Sequence, residues 1–259
     1  MKNIIAVVSG KGGVGKSTVA TSLAISLADA GHKVALIDSD FYGPSIPTLM
    51  GGGQIQLDHE NKILPPQKHG VKYMSIGFFL KDPDDAVVWR GPMFNTAMKQ
   101  LFNDVSWGEV DYCVVDMPPG TGDAQISLAQ NYSLAGALVV TTPQEVALAD
   151  VRKSINMLAQ VNVPLLGVIE NMAGFITPDG TKHEIFGSGG GAQVAQMFKA
   201  PLLASIPIEM KIREGGDKGE PFATQSGPIK DLFVKVAKDI EQSVPKAGTN
   251  TASAVNIVN

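Results

Sequence analysis

The segment Gly10-Lys11-Gly12-Gly13-Val14-Gly15-Lys16-Ser17-Thr18 constrains this chain more than any other. It follows the apolar run Ile4-Ile5-Ala6-Val7-Val8 and precedes a helical stretch from Lys16 to Ala30. Glycines at this density let consecutive backbone N–H groups turn inward toward an anion, and the following helix adds the positive end of its dipole. Strand, glycine loop and helix with Lys-Ser at the junction form the phosphate-binding pattern G-x-x-x-x-G-K-[ST]. The sequence therefore predicts a nucleotide held by Gly12, Gly13, Val14, Gly15, Lys16, Ser17 and Thr18. Lys16 is expected to reach the β- and γ-phosphates and Ser17 to ligate magnesium. No structural partner for the Lys16 charge can be inferred from the sequence. The same residues match G-x-G-x-x-G, in which Asp38 or Asp40 would hold the ribose of a dinucleotide. That shorter pattern leaves Lys16 and Ser17 without a role, and a merely structural glycine turn leaves Lys16 unexplained.

β-branched runs alternate with helical stretches along the chain. Strands are expected at Asn3–Ser9, Val34–Ser39, Val71–Ile76, Tyr112–Asp116, Ala137–Thr142, Leu165–Glu170 and Leu202–Ile206. Helices are expected at Lys16–Ala30, Asn95–Phe102, Ala124–Gln130, Val146–Gln160, Gly191–Phe198 and Ile229–Ser243. Runs such as Ala137-Leu138-Val139-Val140 are apolar at every position, as strands buried on both faces must be. The fold class predicted is α/β: a mainly parallel central sheet with helices on both faces. With 259 residues, 44% hydrophobic, and no compositional break, residues 1–245 read as one P-loop domain. Residues 246–259, small and polar, read as a disordered tail.

Charge and cysteine usage limit the surroundings. The net charge is −4 without a basic cluster, so no nucleic-acid partner is expected. No apolar stretch reaches a spanning length and no signal peptide is evident, so no membrane and a cytoplasmic location are expected. The single cysteine, Cys113, fits that compartment and excludes an internal disulfide. It falls inside an apolar strand, where an inert buried thiol is the expectation. His32, His59 and His69 lack metal-ligand spacing, while His183, beside residues 175–182, reads either as a ligand or, as a lone histidine, as a surface residue. Trp89 reads equally as core or as partner surface.

Three carboxylates complete the expected site. Val114-Val115-Asp116 ends an apolar strand in an acid, the form of a Walker B strand supporting magnesium. Met117-Pro118-Pro119-Gly120-Thr121-Gly122-Asp123 suits a loop able to respond to loss of a γ-phosphate. Asp38 and Asp40 alternate at a strand exit and so point in different directions. Two readings stay open for them: one orients the attacking water while the other supports the metal, or one of them is simply solvated.

Lys11, directly after the first glycine, makes this loop resemble the deviant Walker A box of the MinD/ParA/Mrp ATPases. The likeness to the Mrp (ApbC) branch runs from Ile4 to about Pro221. It is carried by Asp38-Ser39-Asp40-Phe41-Tyr42-Gly43-Pro44-Ser45, Arg90-Gly91-Pro92-Met93, residues 116–123, Glu170-Asn171-Met172, Ile185-Phe186-Gly187 and Ile212-Arg213-Glu214-Gly215-Gly216-Asp217. The resemblance implies a homodimer that binds ATP and hydrolyses it slowly. In it Lys11 reaches the partner's phosphates, Asp40 lies nearest the attacking water, Asp38 lies beside the metal, and Asn171 and Pro207 contact adenine. It also implies iron–sulfur apo-proteins or assembly scaffolds as partners, with a cluster carried between subunits by a Cys-x-x-Cys pair. Here Thr177 and Gly180 stand at those positions, and thiolates are what such clusters require. The departure counts against a cluster on this chain and leaves the ATPase reading untouched. The alternative is a regulatory or scaffold ATPase that holds no cluster itself.

Overall fold

The computed structural model describes residues 1–79 and 91–244. Trp89, Arg90 and the tail 246–259 lie outside the described residues. The strands are β1 (Asn3–Ser9), β2 (Val34–Asp38), β3 (Gln56–Leu57), β4 (Ile63–Leu64), β5 (Gln67–Lys68), β6 (Val71–Ser75), β7 (Tyr112–Asp116), β8 (Leu134–Thr141), β9 (Leu165–Ile176), β10 (Lys182–His183) and β11 (Leu202–Ile208). The helices are α1 (Lys16–Asp29), α2 (Ile46–Leu49), α3 (Gly91–Asn103), α4 (Asp123–Asn131), α5 (Glu145–Gln160), α6 (Gly190–Met197), α7 (Met210–Lys218) and α8 (Pro228–Ser243).

The main sheet runs β10-β9-β8-β1-β7-β2-β6-β5, with β11 also paired to β9. Its pairs are parallel except β5 on β6 and β10 on β9. β1 lies between β7 and β8, so its backbone is paired on both edges and its side chains are divided between two cores. Ile4, Ala6 and Val8 pack on one face with residues of α3, α5 and α6 such as Leu101, Val151 and Val194. Ile5 and Val7 pack on the other with residues of α1 and α8 such as Leu23 and Phe233. The period of two in a strand makes this division, and helices on both faces make every β1 residue from Ile4 to Val8 apolar. The α/β class expected from the sequence is the one observed.

Several elements lie beyond the expectation, among them the two-residue strands β3, β4, β5 and β10. β9 continues six residues past Glu170 and turns back into β10, with Ile176 opposite Lys182. α7 forms despite Gly215 and Gly216, which are poor helix formers. Both glycines are buried, and a Cβ on Gly216 would stand 3.1 Å from Leu49 of α2, so packing against α2 overrides propensity. The short α2 itself begins where the Ile46 N–H donates to Asp38 Oδ2 at 3.1 Å.

Phe233 is fully buried and meets Phe222 edge-on at 5.5 Å. Phe233→Ala is expected to cost ~3–5 kcal/mol of unfolding free energy in urea titration. A loss below ~1 kcal/mol would show that α8 is not part of this core.

Candidate nucleotide site

The glycine loop joins β1 to α1 at the carboxyl end of the sheet, the end where ligands of parallel sheets bind. Gly15 caps α1 with φ 84°, a left-handed conformation that side chains disfavour. A Cβ there would stand 2.2 Å from Asn171 Nδ2, so any other residue would displace the Asn171 amide. Asn171 itself donates to the Val14 carbonyl at 2.8 Å. The Val14 side chain belongs to the core, so what it offers the loop is backbone. Gly12 and Gly13 are exposed and Ser17 and Thr18 half-buried at the mouth of α1, whose first N–H groups have no partner inside the helix.

Lys16 is 6% exposed, with Nζ 2.6 Å from Asp116 Oδ1 and 3.6 Å from Asp40 Oδ2. This is the structural partner that the sequence did not reveal. Asp116 ends β7 and Asp38 ends β2 directly opposite it. Burial pushes Asp38 up to about 7, reinforced by the Asp116 charge, while donors from Ile46, Asp40 and Ser75 pull the other way. Burial likewise raises Asp116, opposed by Lys16 and the Ser17 hydroxyl, and its Oδ2 has no hydrogen-bond partner. The two acids differ in what they have left to offer. Asp38 Oδ1 takes the Asp40 N–H at 3.1 Å, and Oδ2 takes the Ile46 N–H and the Ser75 hydroxyl at 3.0 Å. Asp116 keeps one oxygen unspent.

Two cavities meet over this floor. One, about 390 Å³, is lined by the loop, Lys11, Lys16, Asp40 and Pro119. The other, about 420 Å³, lies between Asn171, Met172 and Pro207 on one side and Ile212 and Arg213 of α7 on the other. They share Gly15, Thr18, Ser45 and Leu49. A polar chamber over the glycine loop, continuous with a chamber between a proline and a helix, suits phosphates joined to a flat base. Magnesium also fits on these terms. Among the described residues no cluster of three or more His, Cys, Asp or Glu could cage a metal alone. Magnesium binds with one or two carboxylates plus phosphates and water, and Asp116 Oδ2 and the Ser17 hydroxyl are available for that.

The loop after β7 is tied rather than free. Gln125 Nε2 donates to the Pro118 carbonyl at 2.7 Å, and the Gly120 N–H donates to the Ser9 carbonyl at 2.9 Å. The Ser154 hydroxyl of α5 reaches the Gly120 carbonyl at 3.3 Å. Lys11 points away from the carboxylates, its Nζ donating to Gln144 Oε1 at 2.8 Å. Gln125, Ser154, Gln144 and the α7 wall escaped sequence reasoning. The first three belong to no motif, and α7 was noticed only as part of a resemblance.

The positions expected for cysteines form a closed hairpin. The Thr177 N–H donates to the Thr181 carbonyl at 3.0 Å and the Gly180 N–H to the Thr177 carbonyl at 2.8 Å. Asp179 accepts from the Thr181 N–H at 3.1 Å, and Gly180 takes the left-handed position with φ 86°. Thr-Pro-Asp-Gly is turn chemistry: proline presets one dihedral, aspartate binds backbone two residues on, and glycine tolerates positive φ. Cys113 is fully buried on β7 between β1 and β2, and burial pushes its thiol well up. The donor set of this chain does not fit an iron–sulfur cluster.

A parallel sheet carrying a glycine loop with a buried lysine at the start of the following helix defines a P-loop NTPase. The chain belongs to the ParA family of NUBPL iron-transfer P-loop NTPases, whose model matches residues 1–241. It is similar, at 50% identity over 249 residues, to an iron-sulfur cluster carrier protein of Aquifex aeolicus, covering 94% of this chain and 68% of that one. A nucleotide-binding protein of Archaeoglobus fulgidus solved with ADP is 36% identical with a TM-score of 0.75, covering 94% and 92% of the two chains. The septum site-determining protein MinD of Pyrococcus horikoshii, solved with Mg-ADP, is 25% identical with a TM-score of 0.69, covering 93% and 97%. No helix among the described residues is long and apolar enough to cross a membrane.

Lys16→Ala is expected to weaken magnesium-ATP binding by ~100-fold or more in calorimetric titration. Because Asp116 then lies buried without its cation, the variant is also expected to lose ~3 kcal/mol of stability at neutral pH. The sign follows from Asp116, whose carboxyl is raised in the fold. An acid raised on folding contributes stability below its ordinary range near pH 4 and loses it as pH rises. The gap between variant and parent should therefore narrow from pH 8 toward pH 5. Equal affinity, or a gap independent of pH, would overturn the assignment.

Proposed function

We propose that this chain is an ATP-hydrolysing homodimeric switch serving iron–sulfur cluster assembly, with cluster thiolates supplied by another protein. The observation that carries the ATP reading is the shared rim of the two cavities, with Lys16 beneath one and Asn171 and Pro207 beside the other. Phosphate oxygens entering the glycine loop compete with Asp116 for Lys16. The exchange frees Asp116, which with the Ser17 hydroxyl would hold a magnesium ion. That ion would supply positive charge to neutralise the phosphates. Asp40, 13% exposed and at the polar chamber, is positioned to orient the attacking water. Asp38, spent on three donors, acts behind it by holding the Asp40 N–H and the start of α2. Lys11 brings its charge to the partner's nucleotide, as an arginine finger does, offsetting charge that develops on the transferred phosphoryl.

Service to iron–sulfur assembly is inferred from the relatives' names. The reading that this chain itself holds no cluster rests on Cys113 and on the closed turn at 177–181. A [4Fe–4S] cluster needs four thiolates, whereas a homodimer of this chain has two, each buried within its sheet.

Asp40→Asn should hydrolyse bound ATP at least ~10-fold more slowly in single turnover while keeping affinity within about threefold, because the loop and Lys16 still hold the phosphates. A variant as fast as the parent moves the role to another group. Anaerobic reconstitution with iron and sulfide should yield far less than one cluster per dimer after desalting. Near-stoichiometric iron and sulfide with a stable charge-transfer band would show that the chain finds ligands of its own.

A further inference from the structure

Lys11 is the one lysine of the glycine loop that does not face the buried acids. Its Nζ bonds to Gln144 Oε1 of its own chain, and among the described residues no carboxylate pairs with it. Backbone fixes both ends of this contact. Gln144 precedes α5, its carbonyl accepting from the Ala147 N–H at 2.9 Å and the Leu148 N–H at 3.2 Å. Pro143 before it is buried, and a Cβ on Gly190 of α6 would stand 2.7 Å from the Pro143 carbonyl. On the other side, a Cβ on Gly10 would stand 2.4 Å from the Val151 nitrogen of α5, and the Lys11 carbonyl accepts from the Ser9 hydroxyl at 3.0 Å. The glycine loop and the body of α5 are thus pressed together. The Lys11–Gln144 bond between them is made by side chains alone, so it can exchange without moving either element.

We propose that Gln144 is a positioning residue that retains Lys11 within its own subunit until a partner's phosphates replace the amide. This rests on the reading that Lys11 acts across a homodimer. The acceptor's chemistry sets how easily the lysine is released. A neutral amide oxygen at a half-buried site holds an ammonium by one charge-assisted bond, which a multiply charged phosphate outcompetes. A carboxylate in its place would hold Lys11 as an ion pair and oppose release. One stands next along the chain at the exposed Glu145, and Lys11 is not bonded to it. Retention costs the ATP dimer part of its association free energy and keeps the cation from the partner site until the partner carries nucleotide.

The test uses the full chain with Gln144→Leu and Gln144→Glu, read by sedimentation with magnesium-ATP over a range of protein concentrations. Gln144→Leu should dimerise at a concentration several-fold below the parent's. Gln144→Glu should need about tenfold more protein, the scale of one charge-assisted hydrogen bond, and approach the parent as salt screens the new pair. ATP affinity measured on dilute monomer should change less than about twofold in both, since Gln144 does not line either chamber. A purely structural role would shift both variants the same way, and that result, or unchanged midpoints in both, overturns the proposal. Lys11→Ala separates it from the reading beneath it. If that variant hydrolyses ATP at the parent rate, the cross-dimer role fails. If it is inactive while both Gln144 variants dimerise like the parent, only the role of Gln144 fails.

Discussion

Lys16 is the buried cation of this molecule among the described residues, set against two fully buried acids and a third at the rim. Like charges at the ends of neighbouring strands repel, and burial denies them water, so Asp38 and Asp116 depend on what the fold supplies instead. Asp38 is satisfied by backbone and by Ser75, which spends it on holding the exit of β2 and the start of α2. Asp116 has one oxygen satisfied by Lys16, the lysine that lines the chamber over the loop. The charge that keeps the carboxylates together is therefore the charge that phosphate would claim. Any nucleotide that enters must rearrange the electrostatics of the core beneath it.

That arrangement extends beyond the loop because α5 touches the site three times. Gln144 holds Lys11, the backbone at Val151 lies against Gly10, and Ser154 reaches the Gly120 carbonyl in the segment after β7. The glycine loop, the segment after β7 and Lys11 thus all meet α5 or the residue that precedes it.

The hairpin after β9 separates two properties that the family name joins. The relatives are described as iron–sulfur carriers, yet the matching positions here form a turn that satisfies its own hydrogen bonds and offers oxygen and backbone only. Nothing in the nucleotide chambers depends on those positions. The chambers over the glycine loop and the hairpin at 177–181 lie in different parts of the fold.

The glycine loop, the strands and the acids were legible in the sequence because each is a local pattern. An apolar run ending in a carboxylate states its own burial, and glycine spacing states its own backbone geometry. The family was legible for the same reason, through contiguous motifs such as 116–123 and 170–172. What escaped the sequence was everything that depends on which segments meet. Nothing local tells that Lys16 will rest on Asp116, one hundred residues away, or that Lys11 will find Gln144 just before a helix that carries no motif. The helix α7 was missed because its two glycines argue against helix, and the packing of Gly216 against Leu49 of α2 outweighs that preference. Sequence alone determined the chemistry this chain can offer. Tertiary structure decided which charges are paired and which oxygen is left unspent, because pairing and burial are properties of contacts rather than of residues.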